Sequence, residues 1–435
     1  MKKIKIIIVL LSILLLGAHY LRLSQYSMVL LILSFPILLF FRRKWADLVL
    51  SIVLFLGGIS WLITTLSYVK IRISLEEPWL RLLMILGVVA LITFYGSFLM
   101  WKKTEEKDEK SLNTIYLPSL IAFILTFSLF VFVRWKVSFS VLIFDRFFPG
   151  LGLFEILLLS TYAAWITEKM MNKDNVKSLR LKIWSFFSLV FFIQFILGIS
   201  GLDIFLMTGK LHVPVPAVIL GGPIFRGSGF FMPILLTTTL LIAGPAWCSY
   251  FCYIGAWDNL FSQKRKNPDL SFRSKILYRF IILVIVISGA IGLRLAGVSP
   301  INASISAILF GIIGVGIMAF ISRKKGIMVH CVSYCPIGLL SNFFGKLSPF
   351  RVKINSSCDQ CMNCRKSCRY GALTKEDITS SKPGLTCTLC GDCLSSCKEN
   401  AINYSFPFLS YENSRKVFIV IVIVIHTICL GIARI

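Results

Sequence analysis

Charge is what this sequence has least of. Only 15% of its 435 residues are Asp, Glu, Lys or Arg, while 57% are hydrophobic. An ordinary soluble domain is about a quarter charged, so this balance excludes a soluble protein of usual composition. Acidic residues are scarcer still, 20 against 46 Lys and Arg, which leaves a net charge of +26. Such a basic excess commonly binds nucleic acid or holds membrane loops on the cytoplasmic side. Here the cations flank apolar runs and do not line one soluble face, so no nucleic-acid partner is expected. No phosphate-binding glycine loop, dinucleotide fingerprint or serine triad stands out, which leaves hydrolase and NAD-dependent readings without support. Histidines number only 4. His19 and His426 are isolated in apolar runs, with no spacing that pairs them as haem ligands.

What the chain has in place of charge is long apolar runs, each near the length a bilayer-spanning helix needs. They cover 4–22, 27–42, 46–69, 79–101, 113–134, 148–167, 183–205, 229–248, 277–297, 302–321 and 416–433, about eleven helices by that length criterion. Run 27–42 is the weakest, being short and containing Pro36. The first run follows Met1-Lys2-Lys3-Ile4-Lys5 and has no small-residue cleavage site after Gly17-Ala18-His19-Tyr20, so it reads as a retained anchor. With the N-terminus in the cytoplasm, Arg42-Arg43-Lys44, Lys102-Lys103, Lys264-Arg265-Lys266 and Arg323-Lys324-Lys325 all fall inside. The one long polar stretch, 346–415, is then cytoplasmic, in a reducing compartment where cysteines favour metal over disulfides.

Cysteines number 13. Cys358-Asp-Gln-Cys361-Met-Asn-Cys364-Arg-Lys-Ser-Cys368 reads C-x2-C-x2-C-x3-C, and Cys387-Thr-Leu-Cys390-Gly-Asp-Cys393-Leu-Ser-Ser-Cys397 repeats it. Three thiolates two residues apart wrap one face of a cubane, and the fourth cysteine reaches the other cluster, as in bacterial two-cluster ferredoxins. That rule gives one [4Fe–4S] cluster to Cys358, Cys361, Cys364 and Cys397, and a second to Cys387, Cys390, Cys393 and Cys368. Structural zinc also uses C-x2-C pairs, but two copies of one four-cysteine run disfavour it. The ferredoxin run carries Pro after its fourth cysteine; here Arg369 and Lys398 stand there. Those cations are expected to loosen the turn and raise the cluster potentials.

Two more pairs, Cys248/Cys252 and Cys331/Cys335, each read C-x3-C, then two residues, then Gly. Runs 183–205 with 229–248, and 277–297 with 302–321, make two hairpins in the same direction, each ending in one pair. Parallel repeats of this kind bring equivalent sites together. Three readings are open for these four thiols: a third cluster or other thiophilic metal, a redox-active dithiol set, or packing. His330 reads as an additional ligand, as a donor to one, or as an interfacial histidine that does neither. Cys429, alone in the last run, reads as an apolar packer.

Two hairpins ending in C-x3-C and C-x3-C-P, followed by a two-cluster ferredoxin, resemble the membrane iron–sulfur proteins of the NapH and NosR type. The resemblance covers roughly 183–403, with Tyr253 where that family has Pro. It implies a quinol dehydrogenase subunit that passes electrons between a quinone pool and protein redox partners. The expected architecture is a multi-pass α-helical membrane protein with a cytoplasmic α+β ferredoxin-like insert, in the cytoplasmic membrane of a bacterium or archaeon. Its parts are a six-helix module (1–182), the duplicated hairpins (183–345), the insert (346–410) and a last helix (411–435). The alternative is a metal reductase or cofactor-maturation factor using the membrane-face thiols. The outer loop 210–226 offers His212 and Arg226 to a quinone or partner, or is simply a stiff proline-rich connection. Glu155, inside an apolar run with Asp145 and Arg146 nearby, is a candidate proton-handling group.

Overall fold

The computed structural model describes residues 2–41, 43–105, 112–206, 213–273 and 276–432. The chain divides into two compact units, 1–168 and 169–435. Among the described residues, nine helices are long and apolar enough to cross a membrane. Two expected spans fall short of that. Run 27–42 breaks at Phe35-Pro36 into Tyr26–Ser34 and Ile37–Phe41, because proline has no amide to continue the ladder. Run 148–167 forms one helix, Gly152–Met170, but that helix carries Glu155, Glu168 and Lys169.

The first unit holds the spans Ile4–Arg22, Lys44–Ser74, Leu80–Lys102 and Tyr116–Lys136. Small residues let its helices approach closely, the usual device where lipid gives no hydrophobic drive. A Cβ on Gly57 would lie 2.6 Å from Leu16, and one on Gly58 2.7 Å from Phe94. Ser51 Oγ donates to the Ser97 carbonyl at 3.0 Å. His19 packs its ring 4.5 Å from Trp61, with Ser60 Oγ at 3.4 Å, as a core residue. The acidic residues are structural too. Asp145 accepts from Arg134 Nε at 2.6 Å and from the Gly150 and Gly152 amides. Glu155 accepts from the Phe144 amide at 2.8 Å.

The second unit holds Lys173–Ile199, Phe231–Phe251, Ile276–Leu295, Pro300–Lys325 and Tyr411–Ile432. The last of these is its core: 61% of that apolar window is buried, against 11% for Pro300–Lys325, which faces outward. Helix Val176–Ile199 lies whole within this unit. Strands β1 (Arg351–Ile354) and β2 (Ile402–Ser405) pair antiparallel, Arg351 opposite Ser405, and close the insert at its base. Tyr404 on β2 stacks on Phe418 of the last helix, ring centroids 4.3 Å apart, which fastens the polar insert to the membrane bundle.

Candidate iron–sulfur centre

The two C-x3-C pairs fold alike. In each the first cysteine lies in a single π turn, Trp247–Phe251 or His330–Tyr334, and the second cysteine caps that turn; such irregular turns concentrate at functional sites. The Cys252 amide donates to the Trp247 carbonyl at 3.0 Å, and the Cys335 amide to the His330 carbonyl at 2.8 Å. The glycine three residues beyond each pair is there for closeness. A Cβ on Gly255 would stand 3.0 Å from the Cys248 carbonyl oxygen, and one on Gly338 2.6 Å from that of Cys331. Gly338→Ala is therefore expected to destabilise by about 1–3 kcal/mol through overpacking, read as a lower melting temperature. An unchanged melting point would show that the turn is not this tight.

The repeat brings the two pairs together. Cys248, Cys252, Cys331 and Cys335 line one small enclosed chamber with His330, Gly255 and Gly338. Each first hairpin helix also buries an arginine. Arg180 and Arg279 are 0% and 1% exposed. Arg180 donates to both carboxylate oxygens of Asp392, at 2.9 and 2.7 Å, and to the Ser249 carbonyl at 3.1 Å. Arg279 has no such carboxylate: its Nε and Nη1 are buried without a partner, and the thiols of Cys335, Cys248 and Cys331 lie nearby. On the far side, buried Asp258 accepts from the Cys331 amide at 3.0 Å, and burial pushes its carboxyl up to about 6. Burial also pushes His330 down to about 4, so its ring is neutral. Apolar runs hide these groups from a composition count, yet charged residues in such runs are the signal that finds them.

In the insert, the two cysteine loops are superimposable in conformation. Gln360 and Met362 in the first run take φ 56° and 59°, and Leu389 and Gly391 take φ 55° and 84° at the same places in the second. Alternating left-handed residues curl the chain so that successive thiols face one centre. The fourth cysteines are held alike, with the Ala372 amide donating to Cys368 Sγ and the Ala401 amide to Cys397 Sγ, both at 3.3 Å. The turn after each is closed by Gly371 and Asn400 at φ 61° and 50°, which does locally what proline does in the ferredoxin run. Cys358, Cys361 and Cys397 gather around Cys364. Cys368, Cys387 and Cys390 gather around Cys393. Burial pushes Cys364 up to about 11, and Cys368, Cys387 and Cys390 up to about 12. These thiols hold protons at neutral pH until a metal displaces them. Among the described residues no three His, Cys, Asp or Glu converge tightly enough for one metal ion. The chemistry of the donor set, soft thiolates spread around a centre with amides aimed at sulfur, fits a cubane, which offers a separate iron to each thiolate.

The insert sits on the first membrane pair. Tyr370, two residues after Cys368, donates its hydroxyl to the Cys248 carbonyl at 2.9 Å. Tyr250 donates to the Cys390 carbonyl at 3.1 Å, and Ser249 to that of Thr388 at 3.0 Å. Trp184 donates to the Cys252 carbonyl at 2.8 Å. Arg369 is spent on the carbonyls of Arg265, Gly326 and Lys266, at 3.0, 2.7 and 3.2 Å. These bonds tie the turn after Cys368 to the segments around Arg265 and Gly326. Tyr253, in the proline place, stacks on Phe191 at 3.8 Å. His426 contacts the Tyr250 carbonyl at 3.2 Å and is a core residue. Arg226 lines an apolar cavity with Phe225 and Leu293, whereas His212 lies outside the described residues.

A model of the 4Fe-4S binding domain family matches residues 225–269 and 307–355. Those segments carry the two membrane cysteine pairs; the ferredoxin runs lie beyond them. Two uncharacterized proteins of Methanocaldococcus jannaschii are 27% and 25% identical over 184 and 191 residues, 40% of this chain each and 69% and 78% of their own lengths. The ferredoxin-type protein NapH of Haemophilus influenzae is 22% identical over 192 residues, 40% of this chain and 67% of its own. The chain is similar to NapH-type membrane iron–sulfur proteins. No solved structure matches it. The NapH-like portion carries iron–sulfur, ferredoxin-type and transmembrane features together, and 1–168 forms its own compact unit.

Proposed function

We propose that this protein is a membrane electron carrier that passes electrons between a quinone pool and a protein partner through three centres. The first is at Cys248, Cys252, Cys331 and Cys335. The second is held by Cys387, Cys390, Cys393 and Cys368, and the third by Cys358, Cys361, Cys364 and Cys397. The observation that carries the reading is the direct docking of the insert on the first membrane pair, with Tyr370 after Cys368 reaching Cys248, and Tyr250 and Ser249 reaching the second cysteine run. A purely structural iron–sulfur insert has no need of that contact, whereas a relay needs its centres adjacent.

The insert faces the cytoplasm in this reading, in the cytoplasmic membrane of a bacterium or archaeon. Treating both short or charged runs, 27–42 and 148–167, as non-spanning leaves the sidedness of the last five spans unchanged, since two crossings cancel. Lys264-Arg265-Lys266 and Arg323-Lys324-Lys325 stay inside, while the clusters at Arg43-Lys44 and Lys102-Lys103 change sides, so the lysine and arginine bias that supports this sidedness is that of the second unit.

The test is anaerobic purification followed by iron and sulfide analysis and mixing with a short-chain menaquinol. Bleaching of the visible cluster absorption on a turnover timescale is expected. Clusters that stay oxidised with quinol yet pass electrons from dithionite to Cu(II) would replace this reading with a metal reductase.

A further inference from the structure

An apolar cavity of about 300 Å³ runs through the second unit to Cys335. Its walls come from the spans Lys173–Ile199 and Pro300–Lys325, the segment 213–217 and the short helix Tyr253–Gln263, with Phe192, Trp257 and Phe310 as the aromatic faces. On its lip, Ile308 and Ile312 are 45% and 60% exposed on Pro300–Lys325. A molecule entering there comes from the lipid phase. A second apolar cavity of about 320 Å³ shares Val213, Val215, Ala217 and Phe310 with the first and extends it to Arg226 and Leu293. Through these shared residues the two form one continuous slot.

An imidazole stands at the cysteine end of the slot. His330 lines both this cavity and the cysteine chamber. It is 5% exposed, and neither ring nitrogen has a hydrogen-bond partner; the Gly314 backbone passes beside the ring without a bond of normal geometry. A buried imidazole N–H left unanswered is costly, so such a group in a native site is a place for a ligand acceptor. The repeat makes the asymmetry clear. At the position equivalent to His330 the first copy has Trp247, which lines the chamber but not this cavity.

We propose that this slot binds a quinone, its ring between Trp257 and Phe310, one carbonyl oxygen accepting from the His330 ring, and its isoprenoid tail running toward Arg226. The chemistry that selects this class is an apolar body, a single carbonyl-type acceptor and entry from lipid. The inference rests on the quinone reading above and moves the headgroup from the outer 210–226 loop to the cysteine end.

The experiment titrates menadione and a short-chain menaquinone analogue into the full-length, cluster-loaded protein in nanodiscs and follows quenching of Trp257 fluorescence, with Trp257→Phe as the blank. Saturable quenching is expected in wild type. His330→Leu should weaken binding about five- to tenfold, with recovery in His330→Gln, whose amide can still donate. Gly311→Leu should abolish binding, because even a Cβ there would stand 2.6 Å from Val215 on the opposite wall. Iron content serves as the folding control, and if Gly311→Leu fails it the His330 pair decides alone. Saturable quinone binding detected by equilibrium dialysis, but with wild-type affinity in His330→Leu and no Trp257 quenching, overturns the slot while sparing the quinone reading. Absence of saturable binding by both methods overturns that reading as well. Displacement of the analogue by palmitate with equal affinity would mark the slot as a lipid groove and also overturn the proposal.

Discussion

Arg180→Met is expected to cost about 3–5 kcal/mol and to strip iron from the second cluster of the insert. Arg180 and Asp392 are 1% and 4% exposed at their side chains, so solvent does not screen the loss. Removing the cation leaves a carboxylate buried between Cys390 and Cys393, where an anionic cluster makes a second negative charge worse. The damage extends to the membrane side, because the same guanidinium donates to the Ser249 carbonyl between Cys248 and Cys252. Arg180→Lys should fall between, since an ammonium cannot reproduce the two-pronged contact. The pairing is tested by the double variant Arg180→Met/Asp392→Leu. Replacing both members of a buried pair is often neutral, so it should regain much of the stability that either single variant loses. Iron per chain and thermal melting measure all four proteins. Wild-type values for Arg180→Met would mean that the insert is held by its tyrosine and serine contacts alone.

Much of this site was legible in the sequence, and what was not has a definable cause. The C-x2-C-x2-C-x3-C runs gave the thiol groups because cluster geometry is encoded in local spacing. The crosswise gathering of Cys397 with Cys364, and of Cys368 with Cys393, follows the same rule. The duplicated hairpins were readable because Gly255 and Gly338 stand at the same offset from their cysteines. The slot was not readable. It is made by residues from the regions of Phe192, Val215, Trp257 and Phe310, with no periodic pattern linking them. Nor was the partner of Arg180, since Asp392 lies 212 residues away. In the sequence His212 stands out because it is isolated among prolines, while His330 is marked only by the adjacent Cys331. Expected and observed helices differ where local chemistry competes with hydropathy: Pro36 divides one run into two shorter helices, and three charges mark another.

Changing Cys248, Cys252, Cys331 and Cys335 together to Ser should remove about four iron atoms per chain, one cubane, while the two insert clusters remain. Arg279 supplies the independent check, because its sign depends on what the chamber holds. Burial pushes Cys331 and Cys335 upward, so without a metal these thiols are neutral. Arg279 would then be a buried cation with no counter-charge, and Arg279→Met would stabilise the protein. With a thiolate-ligated cluster in the chamber, the site is anionic and Arg279 is its counter-ion. Arg279→Met should then destabilise by about 3–5 kcal/mol and lower the iron content by about one cubane. In the four-serine background the same substitution should become neutral or stabilising, since the anion is gone. A destabilised Arg279→Met in wild type together with that reversal in the four-serine protein ties the arginine to the cluster. A stabilised Arg279→Met with unchanged iron would make the four membrane cysteines packing residues, and leave the relay with the two insert clusters only.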